Sequence, residues 1–359
     1  MSEAIIPGLP DDLAFRCLAK ISHGYHGLLE CVSKKWRWTI KSSDYANLKA
    51  KEGWCGNWLF ACTHMGHKSQ WNAYDPDANR WHPVPGFPWA NYESLRGCSC
   101  ICVCKRFLVV GGCYMKGNLG TNNVIMFDPF KQQWSCVSSM RTARTNFASA
   151  AINDKVYVAG GNNSDSTEGL SAAEVYDPYL DRWEDLPPMP FVLFECFSVS
   201  YGGQFHVIGK KASNFEYDTY VIFNPINQTW HIVEDLWPFS KLSREYTTVT
   251  DGGIYAILDD DIVKVTNKYM RPLGTFPAII LQGHVRPLKP FGFSLIGFKQ
   301  KLYVVGGMAL RYDSDARSYD VVELSTVRSF DPTKMPLEWC DVRPMPVQSS
   351  GVIGCALVE

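Results

Sequence analysis

Two periodicities divide the chain. Over the first fifty residues apolar side chains recur at helical spacing: Leu13, Leu18 and Ile21, then Leu28, Leu29 and Val32, then Trp36 and Ile40. This pattern predicts three short helices over residues 1–50. Pro10 suits a first helical turn, Gly24 and Gly27 punctuate, and Ser33 stands where it can cap the helix carrying Trp36. So short a segment buries little surface by itself, so a partner is expected over its apolar face. From Asn57 onward the pattern changes to short β-branched and aromatic runs broken by turn residues, which reads as strands.

The strands repeat. An aromatic residue followed by Asp-Pro, with Trp five places after the Pro, occurs at Tyr74-Asp75-Pro76 with Trp81, Phe127-Asp128-Pro129 with Trp134, and Tyr176-Asp177-Pro178 with Trp183. Phe223-Asn224-Pro225 with Trp230 is a fourth copy with Asn for Asp, and Phe330-Asp331-Pro332 with Trp339 a looser fifth. Upstream of the corners, Gly111-Gly112, Gly160-Gly161 and Gly306-Gly307 end apolar runs, with Gly209 a weakened copy. Both markers recur at roughly 50 residues, with one unit skipped between Trp230 and Pro332.

In the clearest unit four strands are expected at 146–153, 155–159, 172–176 and 182–186. Asp accepts turn amides and Pro presets φ, so the aromatic-Asp-Pro corner joins the third strand to the fourth. Paired Gly permits positive φ or close backbone approach, and the Trp supplies an apolar slab between neighbouring sheets.

Four strands in a period near 50 is the signature of a propeller, and the residues resemble kelch repeats. Residues 57–359 hold about six such units. The expected architecture is therefore mostly β, a six-bladed kelch β-propeller preceded by a small all-α domain. Residues 246–282 form the degenerate blade, with Ile254–Leu258 and Ile262–Thr266 as its hairpin. The first unit starts at Trp58 as a second strand, so 350–358 are expected to supply the missing first strand and close blade one.

Composition narrows the function. Lys and Arg number 35 against 36 Asp and Glu, a net charge of −1, so no global field favours nucleic acid or an acidic membrane. Hydrophobic residues at 46% support a folded core. The first fifteen residues lack the apolar run of a signal peptide, and no stretch of about 18 apolar residues occurs. A soluble protein of the cytoplasm and/or nucleus is expected. The 13 scattered cysteines fit free thiols in a reducing compartment, and the acceptor patterns at Asn162 and Asn227 are then only loop residues.

Leu9-Pro10-Asp11-Asp12-Leu13, Cys17-Leu18 and Val32-Ser33-Lys34-Lys35-Trp36-Arg37 are similar to the F-box, and the whole chain resembles plant-type F-box/kelch-repeat proteins. That resemblance implies a substrate receptor of an SCF-type ubiquitin ligase. The F-box docks on a Skp-type adaptor, which brings the cullin and RING subunit, and the propeller holds an unknown protein target. It implies no catalysis on this chain and no cofactor. By position, Leu9, Pro10, Leu13, Leu18, Val32 and Trp36 match F-box residues that bury against the adaptor, some of which also serve helix packing.

Strand order assigns the faces. A chain entering the ring at a second strand places the helices on the Asp-Pro side, leaving the opposite face open for the target. Its long polar loops are 115–123, 162–171 and 308–320. Lys116, Arg141, Arg144, Asn162, Asp165, Arg311 and Arg317 are its candidate target contacts, since Arg forks on a rigid rim suit carboxylate or phosphate. Loop packing is the alternative for Arg141 and Arg144.

Other chemistry is weaker. Cys98, Cys100, Cys102 and Cys104 alternate along one strand, and a straight strand cannot wrap four thiolates around zinc, so they read as small side chains near the ring axis. Asp259-Asp260-Asp261 lacks the Gly and Glu of a calcium loop. A kelch scaffold outside the ligase and a metal-dependent kelch enzyme are the rival functions, and no ligand set for the latter is found.

Overall fold

The computed structural model describes residues 4–65, 68–87, 95–114, 120–163, 169–211, 217–234, 241–243, 246–250, 253–259, 261–266, 269–278, 290–313, 318–346 and 352–358. Four helices come first: α1 (Asp11–Ala19), α2 (His26–Val32), α3 (Lys34–Lys41) and α4 (Ser43–Lys51). Three were expected. The fourth escaped because its inward residues, Tyr45 and Lys49, are polar and leave no apolar period. Lys49 Nζ donates to the Ala19 and Ile21 carbonyls at 2.8 and 2.6 Å, satisfying the buried carboxyl end of α1. Ser33 Oγ accepts from Trp36 N at 3.0 Å, capping α3 as expected.

Among the described residues there are six four-stranded antiparallel sheets. The clearest is built from Ala148–Ile152, Lys155–Ala159, Ala173–Asp177 and Arg182–Leu186. The unit without markers still makes a full blade, from Thr247–Thr250, Gly253–Leu258, Asp261–Val265 and Met270–Thr275. Val352–Val358 pairs antiparallel with Trp58–Met65, Trp58 facing Val358, so the last strand of the chain completes the first sheet. Inner strands touch in cyclic order, Ser99–Val103, Ala148–Ile152, Phe194–Tyr201, Thr247–Thr250, Ser294–Phe298 and Val352–Val358, the last returning to the first. The ring is closed, each inner strand lying between those of its two neighbours.

The repeat residues explain how blades lock together. Asp75 Oδ1 accepts from the Asp77 and Ala78 amides, Asp128 from Phe130 and Lys131, and Asp177 from Tyr179 and Leu180. Asn224 keeps one such bond, from Ile226. After each corner the Trp indole crosses to the preceding blade. Trp134 Nε1 donates to Pro85 O, Trp183 to Ser138 O and Trp230 to Pro187 O, while Trp81 closes the circle on Arg343 O at 2.8 Å. The slab and the polar tip thus act on the same seam. Near the axis hydroxyls repeat with the period: Ser99 bonds Ser149, Ser198 bonds Ser149, and Thr248 accepts from Gly297 N. At Gly111, φ is +58° and an added Cβ would stand 2.7 Å from Arg144 O, so both close approach and backbone conformation require glycine.

Candidate functional site

The helices sit on the Asp-Pro side of the ring. Ser22 Oγ donates to Asp75 Oδ2 at 2.7 Å, and Arg80 Nη1 donates to the Tyr25 hydroxyl at 2.7 Å. His26 Nδ1 lies 3.2 Å from Phe130 O, and Phe130 itself packs into the helical core. Gly24 meets the propeller so closely that a Cβ there would fall 2.3 Å from the His82 ring. The opposite face of the ring is therefore left uncovered by the helices.

The helical core is Leu18, Ala19, Ile40 and Tyr45. Leu18 is sealed inside it, which corrects its assignment as an adaptor contact: it holds the helices together. Trp36 is half-buried with Nε1 donating to Ile5 O at 2.6 Å, so its main role is also packing. Leu9 is half-buried, Pro10 and Leu13 are exposed, and Val32 is 60% exposed. Two further apolar residues stand out, Leu28 at 68% and Trp38 at 77%. Leu28 and Val32 are one turn apart on α2 and share a face. Trp38 was legible as well, since Trp36 and Ile40 point inward and the residue between them cannot.

On the open face the largest correction is Arg144. Its side chain is 0% exposed, with Nη2 2.6 Å from Glu174 Oε1 and Nη1 donating to the Gly160 and Ala172 carbonyls. Burial pulls the guanidinium below its ordinary range and Glu174 opposes that shift. A target cannot reach it. Its work is to pin the loop between blades two and three onto blade three, because Glu174 also accepts from the Arg141 and Thr142 amides. Arg141 keeps its side chain exposed and pairs with Asp185. Asn162 exchanges backbone bonds of 2.8 Å with Thr145. Lys116, Asp165 and Arg317 lie outside the described residues.

The segment expected as a polar loop at 308–320 is a β-hairpin, Met308–Asp313 with Ser318–Glu323, extended by Pro290–Phe291. It is inserted between the second and third strands of the sixth blade and so belongs to the open face. Alternation separates its two sides. One carries buried Ala309 and the Arg311–Asp320 ion pair at 3.0 Å. The other carries the cross-strand pairs Leu310–Val321 and Tyr312–Tyr319, all four exposed, the tyrosine rings 5.2 Å apart edge to face. Arg311 is thus engaged within the hairpin, and the exposed apolar side is what the fold offers to a partner. The alternation Leu310-Arg311-Tyr312-Asp313 was its signal.

Cys100 and Cys102 pack with the core between blades one and two, and burial pushes the Cys102 thiol well up. Among the described residues no three His, Cys, Asp or Glu converge as metal ligands, and no helix is long and apolar enough to cross a membrane.

Comparison with known proteins agrees with this geometry. The kelch motif matches residues 94–141 and again 143–190. The F-box/kelch-repeat protein At1g16250 of Arabidopsis thaliana is 42% identical, covering 100% of this chain and 98% of that protein. At1g67480, another F-box/kelch-repeat protein of Arabidopsis thaliana, is 31% identical over 64% of this chain and 62% of its own. The F-box protein AFR from the same plant is 28% identical over 66% and 62%. The solved structure of YjhT has a TM-score of 0.51 at 13% identity, covering 73% of this chain and 86% of that one, a likeness of fold alone.

Proposed function

The chain belongs to the F-box/kelch-repeat family, and from that premise we propose that it is the substrate receptor of an SCF-type ubiquitin ligase in the cytoplasm or nucleus. The helical domain docks on a Skp-type adaptor through Pro10, Leu13, Leu28, Val32 and Trp38, with cullin and RING subunit following through the adaptor. The propeller presents its open face, above all the Leu310, Tyr312, Tyr319 and Val321 side of the hairpin, to a target protein.

One observation carries this reading. The helical domain has a completed core and a fixed seat on the ring, yet keeps several large apolar residues in solvent; such exposure marks an interaction surface. The reaction chemistry belongs to other subunits. This chain raises the local concentration of a target lysine at the conjugating enzyme, and the seam formed by Ser22, Arg80 and His26 sets the direction in which the target is held.

Proximity labelling with the proteasome inhibited tests the target half, comparing the intact chain with Tyr312→Ala/Tyr319→Ala. Proteins labelled by the first and lost with the second are the expected targets. Identical labelling would remove the hairpin from the proposal.

A further inference from the structure

Where the helices meet the ring, a cavity of about 160 Å³ lies between His23, Cys55, Gly56, Trp58, Phe130 and the 104–106 hairpin tip. Two polar atoms on residues that line it have no partner among the described residues. His23 Nε2 and Trp58 Nε1 are both buried, on side chains 5% and 2% exposed. An indole N–H can only donate, and a buried donor left unmatched keeps its full desolvation cost. Native proteins rarely leave such a group without an acceptor. The cavity is several times the share of one water, about 30 Å³.

The surrounding charge selects the occupant. Lys105 and Arg106 line the cavity, and neither has a carboxylate within ion-pair distance among the described residues. Lys49 is buried nearby, bonded only to carbonyls. The charged neighbours that act on His23 are Lys49 and Lys105, with His26, and every one opposes a positive charge there. Asp128 is the acid among the lining residues, and its Oδ1 is occupied by two turn amides. The site combines an orphaned N–H, a buried imidazole and two cations against the one lining carboxylate of Asp128, which is the recognition chemistry of an oxyanion.

We propose that this seam binds a small free oxyanion, inorganic phosphate or a compact phosphate ester, between the helical domain and the propeller. The volume excludes a folded or peptide ligand. Trp58 Nε1 and His23 Nε2 donate to its oxygens while Lys105 and Arg106 balance its charge. Because His23 belongs to the helical domain and Trp58, Lys105 and Arg106 to the ring, occupancy ties the two together and stiffens the angle between them. This proposal stands independently of the ligase reading.

Titration of the full chain with inorganic phosphate, followed by calorimetry and by melting temperature at constant ionic strength in chloride, tests it. Saturable binding that raises the melting temperature is expected. Trp58→Phe removes the N–H together with part of the ring, and Lys105→Ala/Arg106→Ala removes the two cations at the hairpin tip, Lys105 exposed and Arg106 partly buried; each is expected to weaken phosphate by about tenfold or more, near 1.4 kcal/mol. The surface double variant keeps the test decisive should Trp58→Phe fail to fold. Absence of saturation, or equal response in the wild type and the surface variant, would overturn the site and leave a general salt effect only.

Discussion

Arg144 and Glu174 form an ion pair at 2.6 Å with neither side chain reaching solvent, joining the loop before blade three to that blade's third strand. Removing one partner leaves the other charge buried and unpaired, a change that typically costs about 3–5 kcal/mol. Arg144→Met and Glu174→Gln are each expected to lower stability by that order in denaturant unfolding. A change below about 1 kcal/mol would show that the pair does not hold this loop on the blade.

The hairpin tyrosines behave oppositely. Tyr312 and Tyr319 are exposed and touch each other across the strands, so truncating both removes a ring pair worth about 0.5–1.5 kcal/mol without opening a core. Tyr312→Ala/Tyr319→Ala is expected to leave adaptor binding unchanged and unfolding nearly so, while target capture falls. A collapse in melting temperature would place these rings in the fold instead.

Acid should loosen the junction between helices and ring. Burial, with Lys49 adding to it, lowers His26 to about 4, and His23 is also held well below its ordinary value. The unfolded chain, near 6.5, then binds more protons between pH 6.5 and 4, so stability falls as pH drops through that window. The His26 shift alone corresponds to about 3 kcal/mol as an upper figure. Unfolding free energies at pH 7, 6 and 5 check this, with a shallower slope expected for His26→Gln. A flat profile would contradict the neutral, buried imidazole.

Closure of the ring predicts the effect of a short deletion. Val352–Val358 pairs with Trp58–Met65 and touches the inner strands Ser99–Val103 and Ser294–Phe298. A chain ending at residue 349 would expose the edge of blade one and separate it from blade six. Loss of cooperative unfolding, read by circular dichroism on heating, is expected. An unchanged melting curve would mean the ring closes without this strand.

The propeller was legible because its joints are made by residues next to one another in sequence. The Asx corner at Asp177, the indole at Trp183 and the glycines at 160 and 161 act within one repeat or against its immediate neighbour, so a period exposes them. The entry at Trp58 without a preceding strand likewise placed the helices on the Asp-Pro side, where Ser22 and Asp75 meet. What escaped depends on long-range pairing. Arg144 reads either as a target contact or as loop packing, because charged side chains are almost never fully buried unless paired, and its partner lies thirty positions on, in an ordinary strand. Helix α4 escaped because a lysine and a tyrosine do the packing there. The hairpin was hidden by its charges, Arg311 and Asp320, although the apolar residues beside them alternate as strands do.

Adaptor capture bears most directly on the assignment. Purified full-length chain mixed with a Skp-type adaptor should form a stable one-to-one complex on gel filtration. Leu13→Ser/Leu28→Ser/Val32→Ser, which touches only exposed residues, should abolish the complex while leaving the melting temperature of the ring in place. A wild-type chain that elutes apart from the adaptor, or a triple variant that still binds it, would contradict the receptor role.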